Sequence, residues 1–173
     1  MNFKQALNQV KAFAFDIDGV LSATCIPIAI NGEPMRMINI KDGYALHLAV
    51  KKGYPIAIIT GGKTEAVRIR FSDLGVQHIY MASHHKMTDF NDFLAKNNLK
   101  AEDVMYMGDD IPDYQVMKIA GVPVCPADAA PEIKAISCYI SDKNGGEGCG
   151  RDVIEQVLKA QGHWMNGEEA FGW

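Results

Sequence analysis

Asp16 and Asp18 stand two residues apart in the run Phe15-Asp16-Ile17-Asp18-Gly19-Val20, directly after an apolar stretch, 12–15. Two carboxylates at a strand end can face one site once the chain leaves the strand, and Gly19 permits a close turn there. One could act as nucleophile and the other as general acid and base, and hard carboxylate oxygens also suit magnesium. Asp and Gly are equally at home in a helix cap or surface turn, so this motif alone leaves the chemistry open. A second cluster, Gly108-Asp109-Asp110-Ile111-Pro112-Asp113, puts three acids at the end of another apolar run. Crowded like charges are costly unless a cation balances them, which argues for a bound metal or a lysine.

Two further segments carry polar groups at comparable places. Thr60-Gly61-Gly62 follows Ile58-Ile59 and leads into a helix-like stretch, so a hydroxyl and backbone N–H groups there can hold an anion. A plain helix cap by Thr is the simpler reading of that segment taken by itself. Lys86 could neutralise a phosphoryl group, although most single lysines are solvated surface charges. The adjacent His84 and His85 are not expected to ligate a metal, since they cannot easily share one ion and magnesium prefers oxygen.

The elements that must position these groups follow from the hydrophobic pattern. Short apolar runs at 12–15, 55–59, 78–81, 104–107, 123–125 and 138–140 read as strands. Helical patterns cover 43–52, 64–74, 87–96, 114–120, a short stretch after Pro131, and 151–159. Runs 25–30 and 35–40 flank Asn31-Gly32-Glu33-Pro34 and predict a β-hairpin after the first strand. Strands alternating with helices imply right-handed βαβ units. The expected fold is therefore a three-layer, Rossmann-like, doubly wound parallel sheet with a hairpin flap. In such sheets ligands bind beyond the carboxyl ends of the strands, where Asp16, Thr60 and Asp109 would all lie.

The chain has 173 residues, 17 basic and 21 acidic, for a net charge of −4, with 48% hydrophobic and 22% charged residues. One core is expected: residues 1–162 as a single domain and 163–173 as a loosely ordered C-terminal tail. No basic stripe is available for nucleic acid, and no apolar run approaches the roughly 20 residues of a membrane span. The first residues lack a signal-peptide layout, so a cytoplasmic protein is expected. Cys25, Cys125, Cys138 and Cys149 form no CxxC pair. They read as free structural thiols, with Cys149 the one to test for exposure.

Taken together, DIDGV at 16–20, Thr60, Lys86 and Gly108-Asp109-Asp110 resemble the motif set of the haloacid dehalogenase superfamily of phosphatases. The resemblance implies Asp16 as nucleophile forming an aspartyl-phosphate. Asp18 would protonate the leaving alcohol and then activate water, and Thr60 and Lys86 would hold phosphoryl oxygens. Mg2+ would sit on Asp16, Asp109 and the backbone carbonyl of Asp18, with Asp110 further out and Asp113 orienting Lys86. Phosphoryl transfer depends on positioning and charge stabilisation, which a metal and a lysine supply.

The spacings leave no room for a cap domain. The hairpin after DIDGV, Asn39-Ile40-Lys41-Asp42-Gly43, the segment from Thr60 through Lys63-Thr64-Glu65, and Gly145-Gly146-Glu147-Gly148 resemble the capless 3-deoxy-D-manno-octulosonate 8-phosphate phosphatase family. Membership would imply hydrolysis of that sugar acid phosphate for lipopolysaccharide precursor synthesis. It would also imply a homotetramer in which hairpins and tails complete neighbouring sites. The chain departs from the family pattern at Ser22-Ala23-Thr24, at Gly62 (where many members carry Arg), and at Cys149-Gly150-Arg151-Asp152. A nine-carbon 3-deoxy-nonulosonate 9-phosphate therefore stays open as substrate. A phospho-aspartate switch on the same kind of sheet is the other alternative, but it would not need Asp18. The substrate carboxylate calls for cations besides the metal. Gly61, Lys63 and Arg68 are the preferred substrate contacts, with Arg70 and Arg151 as further candidates.

Overall fold

The computed structural model describes residues 2–173. Six strands form one all-parallel sheet: β1 (Ala12–Phe15), β2 (Ile56–Ile59), β3 (His78–Tyr80), β4 (Val104–Met107), β5 (Val122–Cys125) and β6 (Tyr139–Ile140), in the order β3-β2-β1-β4-β5-β6. Among the described residues seven α-helices accompany them: α1 (Phe3–Ala6), α2 (Ile40–Lys51), α3 (Glu65–Asp73), α4 (Lys86–Lys96), α5 (Tyr114–Met117), α6 (Pro131–Ile136) and α7 (Cys149–Ala160). The doubly wound sheet expected from the alternating pattern is formed, and the described residues include no cap domain.

Side chains alternate along β1 between two cores. Phe13 and Phe15 join one layer with Leu46, Ile58, Val153 and Leu158. Ala12 and Ala14 face the other, with Phe90, Phe93, Tyr106 and Val116. The central strands are thus buried on both faces, which is why β1, β2 and β4 read as continuous apolar runs rather than as alternating ones. β1 lies between β2 and β4, with Phe15 opposite Ile58 and Met107, so the chain leaves these three strands at one rim.

Two of the helices, α2 and α7, start where a side-chain oxygen takes up N–H groups of the first turn. Asn39 accepts from Lys41 N at 2.8 Å and opens α2 three residues earlier than the apolar pattern suggests. Asp42 reaches across from α2 and accepts from Arg151 N at 2.6 Å, capping α7 in the same way and starting it at Cys149.

Two expectations need correction. The segment 25–40 turns at Asn31–Gly32 and pairs through Ala29 N to Glu33 O and Met35 N to Pro27 O. Among the described residues it carries one bridge, Ile28 with Pro34, so it is a hairpin-shaped flap without regular strands. Pro27 and Pro34 lack the N–H groups that a longer ladder would need. The tail 163–173 is docked rather than loose. Tyr44 Oη donates to Ala170 O, Ala170 is buried in the core, and Trp164 meets Tyr44 edge to face. Cys149, the thiol to test for exposure, is buried as a structural thiol would be, donating to Val20 O at 3.1 Å. Cys25 and Cys138 are the exposed thiols.

Candidate active site

The carboxyl rim of β1, β2 and β4 gathers most of the chemistry-bearing side chains. Asp16, Asp18, Thr60, Gly61, Lys86, Asp109, Asp110 and Asp113 all line one cleft of about 480 Å³. Lys86, on the first turn of α4, brings its Nζ to 3.0 Å from Asp16 Oδ1 and 2.7 Å from Asp113 Oδ1. Tyr106 Oη donates to the same Asp113 oxygen at 2.7 Å, and Asp113 Oδ2 accepts from Asp109 N at 3.2 Å. Asp113 is therefore a buried hub that fixes the lysine and the Asp109 backbone together. Asp110 is exposed at the cleft edge. Thr60 is buried, and its hydroxyl accepts from Gly62 N at 3.1 Å, closing the turn that follows β2.

Asp16, Asp109 and Asp113 each offer an oxygen within 4.8 Å of the others. One lysine cannot neutralise three carboxylates. Burial and the Asp113 charge push the Asp16 carboxyl up to about 7 against the pull of Lys86. Burial, with the Asp16 and Asp113 charges, pushes Asp109 up to about 8. Burial opposes the charge on Lys86, but the two carboxylates outweigh it and raise its pKa above the ordinary lysine value. Asp109 Oδ1 is buried and has no hydrogen-bond partner among the described residues. An all-oxygen set with surplus negative charge and one orphaned carboxylate oxygen fits a hard divalent cation such as magnesium. Gly19, at φ +88°, makes the approach possible: a Cβ there would stand 2.0 Å from Asp109 Oδ2.

The basic residues distribute differently from expectation. Arg68 is exposed on α3 and pairs with Glu65 at 3.5 Å, away from the cleft. Arg151 lies over the Tyr44 and Trp164 rings and pairs with Glu155 at 2.9 Å. Arg70 packs its guanidinium against Gly43. Lys63 is exposed beside an adjoining cleft. The sequence reading missed Arg36. From the flap it donates Nε to Asp18 Oδ1 at 2.6 Å and Nη2 to Asp18 Oδ2 at 2.8 Å. Its Nη1 donates to Thr64 Oγ1 at 3.0 Å. Gly62 is the one sequence clue, because a Cβ there would stand 2.6 Å from Arg36 Nη2.

Acids from two strand ends, with a threonine and a lysine on the same rim of this sheet, define a haloacid dehalogenase-like hydrolase, and the family model of that description matches residues 65–151. The 3-deoxy-D-manno-octulosonate 8-phosphate phosphatase KdsC of Salmonella typhi is 37% identical over 153 residues, covering 88% of this chain and 81% of its own length. The chain belongs to this phosphatase family. Solved structures agree. The phosphatase from Yersinia pestis superposes with a TM-score of 0.90 at 31% identity, covering 94% of this chain and 88% of its own. That from Moraxella catarrhalis, solved with a magnesium ion, a phosphate ion and a KDO molecule, gives 0.88 at 32% identity, with 92% of each chain covered.

Proposed function

We propose that the protein is a magnesium-dependent phosphatase that hydrolyses 3-deoxy-D-manno-octulosonate 8-phosphate, a lipopolysaccharide precursor, through an aspartyl-phosphate on Asp16. The observation that carries this reading is the convergence of Asp16, Asp109 and Asp113 around Lys86, with a buried Asp109 oxygen left unpartnered. The magnesium found with the Moraxella catarrhalis relative supports the same assignment. Asp16, Asp109 and the Asp18 carbonyl would hold the ion, with Asp110 and Asp113 outside them. When bound, it would offset carboxylate charge and let an anionic phosphate approach.

An Asp16 carboxylate oxygen attacks phosphorus while the bond from phosphorus to the sugar oxygen breaks. Asp18 gives its proton to that departing oxygen, then takes one from a water that attacks the phosphorus and cleaves the Asp16 ester. Lys86 and the Thr60 hydroxyl, with the backbone N–H of Gly61, hold the non-bridging oxygens. Asp113 keeps Lys86 aimed at Asp16.

We place the enzyme in the cytoplasm and infer a homotetramer. No helix among the described residues is long and apolar enough to cross a membrane. The flap leaves Ile28, Ile30, Met35 and Met37 exposed without a cap domain to cover them, which supports coverage by other copies of the chain. The test is kcat/KM for phosphate release with Mg2+ over a panel of eight- and nine-carbon 3-deoxy sugar acid phosphates. The eight-carbon substrate is expected to lead. A lead for the nine-carbon ester reassigns the substrate, and a long-lived phospho-aspartate with little turnover reassigns the protein as a switch.

A further inference from the structure

Whereas Lys86 comes from the first turn of α4, Arg36 reaches this site from the flap. Its side chain is only 6% exposed, although it comes from a flap whose apolar residues face solvent. Three acceptors hold it: both Asp18 oxygens and the Thr64 hydroxyl, which makes no side-chain cap bond to α3. A guanidinium carries five N–H groups in one rigid plane. Three are engaged, which leaves one on Nη1 and one on Nη2 with no acceptor among the described residues. Arg36 lines a second cleft of about 520 Å³ that shares Asp18, Gly61 and Gly62 with the rim. Asn31, Glu33 and Lys63 also line it. The position is built, because a side chain at residue 62 would drive into the guanidinium.

We infer that Arg36 determines specificity for acidic substrates, its two remaining N–H groups taking the carboxylate of the phosphate ester bound at Asp16. A fixed, always-charged fork suits a planar carboxylate better than an exposed lysine does. Asp18 and Thr64 hold the fork before substrate arrives, so little rotamer freedom is lost on binding. The exposed Lys63 cannot match that preorganisation. The arrangement also gives Gly62 a role, since it keeps open the space that the Arg36 plane occupies.

This inference rests on the phosphatase reading, so the experiment separates the two. Phosphate release is measured with Mg2+ on 3-deoxy-D-manno-octulosonate 8-phosphate and on a neutral hexose 6-phosphate. The proteins are the wild type, Arg36→Met, Arg36→Lys and Gly62→Ala. Arg36→Met is expected to lose at least tenfold more kcat/KM on the acidic ester than on the neutral one, chiefly through KM. Arg36→Lys should recover part of that selectivity. Gly62→Ala should lower selectivity in the same direction, because its methyl displaces the flexible end of Arg36 without removing the charge. Equal losses on the two esters in Arg36→Met and Gly62→Ala overturn the assignment and leave the phosphatase reading standing. A wild type that releases phosphate from neither ester overturns both.

Discussion

Lys86 holds its ammonium 3.0 Å from Asp16 Oδ1, and both side chains are almost wholly removed from solvent. The same ammonium serves Asp113 at 2.7 Å, so one positive charge answers several negative ones. Removing either partner therefore has opposite consequences for stability. Asp16→Asn relieves the crowding, and without divalent cation its Tm is expected to equal or exceed that of the wild type while phosphate release falls by about 1,000-fold or more. Lys86→Met leaves Asp16 and Asp113 buried without their counter-ion, a loss on the order of 3–5 kcal/mol. Thermal melts in chelator alongside phosphate release check both. A Tm fall in Asp16→Asn as large as that in Lys86→Met would remove the argument.

The same crowding sets a pH dependence. Folded Asp16 and Asp109 keep their protons up to about pH 7 and about pH 8, whereas both lose them near the ordinary value of 3.8 once unfolded. Between these limits the folded state binds more protons than the unfolded one, so stability without metal falls as pH rises. Magnesium needs ionised carboxylates, so its stabilising effect should grow through that window. Melting curves at pH 5 to 8, with chelator and with excess Mg2+, should diverge upward in pH. Curves that converge instead would contradict the metal assignment.

Gly19→Ala tests the approach of Asp109 to the first strand end. The position has φ +88°, which costs an L-residue roughly 1–2 kcal/mol, and the new methyl would meet Asp109 Oδ2 at 2.0 Å. The variant is expected to fold with a lower Tm and to weaken the apparent Mg2+ affinity at least tenfold. An unchanged magnesium titration would show that Asp109 binds no ion there.

Asp42 carries a stability signature away from the catalytic rim. It is fully buried at the junction of α2 and α7, with Oδ1 on Arg151 N and Oδ2 without a hydrogen-bond partner among the described residues. Burial pushes its carboxyl up to about 6, partly offset by the Arg151 N–H and charge. Ionising it costs the folded state, so its contribution weakens as pH rises from about 4 through 6. Asp42→Asn keeps the acceptor and removes the charge. The variant should be the more stable protein at pH 8, by up to about 3 kcal/mol, with the difference vanishing near pH 4. Urea unfolding at the two pH values measures it.

The sequence by itself determined the strands and the acids at their ends. Ala12–Phe15 and Val104–Met107 are formed where the apolar runs predict them, because strands buried on both faces announce themselves locally. Asp16, Thr60 and Asp109 then share a rim as a consequence of parallel topology. Tertiary structure alone decided which cations join them. Arg36 is 18 residues from Asp18 on an irregular flap, and its direction depends on how that flap closes over Gly62. Arg68, the preferred candidate, and Arg151, a further one, are drawn instead to Glu65, and to Glu155 and two aromatic rings. The tail lacked periodicity because its order comes from contacts with Tyr44 and Lys52 rather than from a repeating face of its own. Hydrophobic period is a property of neighbouring residues, whereas the aim of a long charged side chain is settled by whatever the fold brings within its reach.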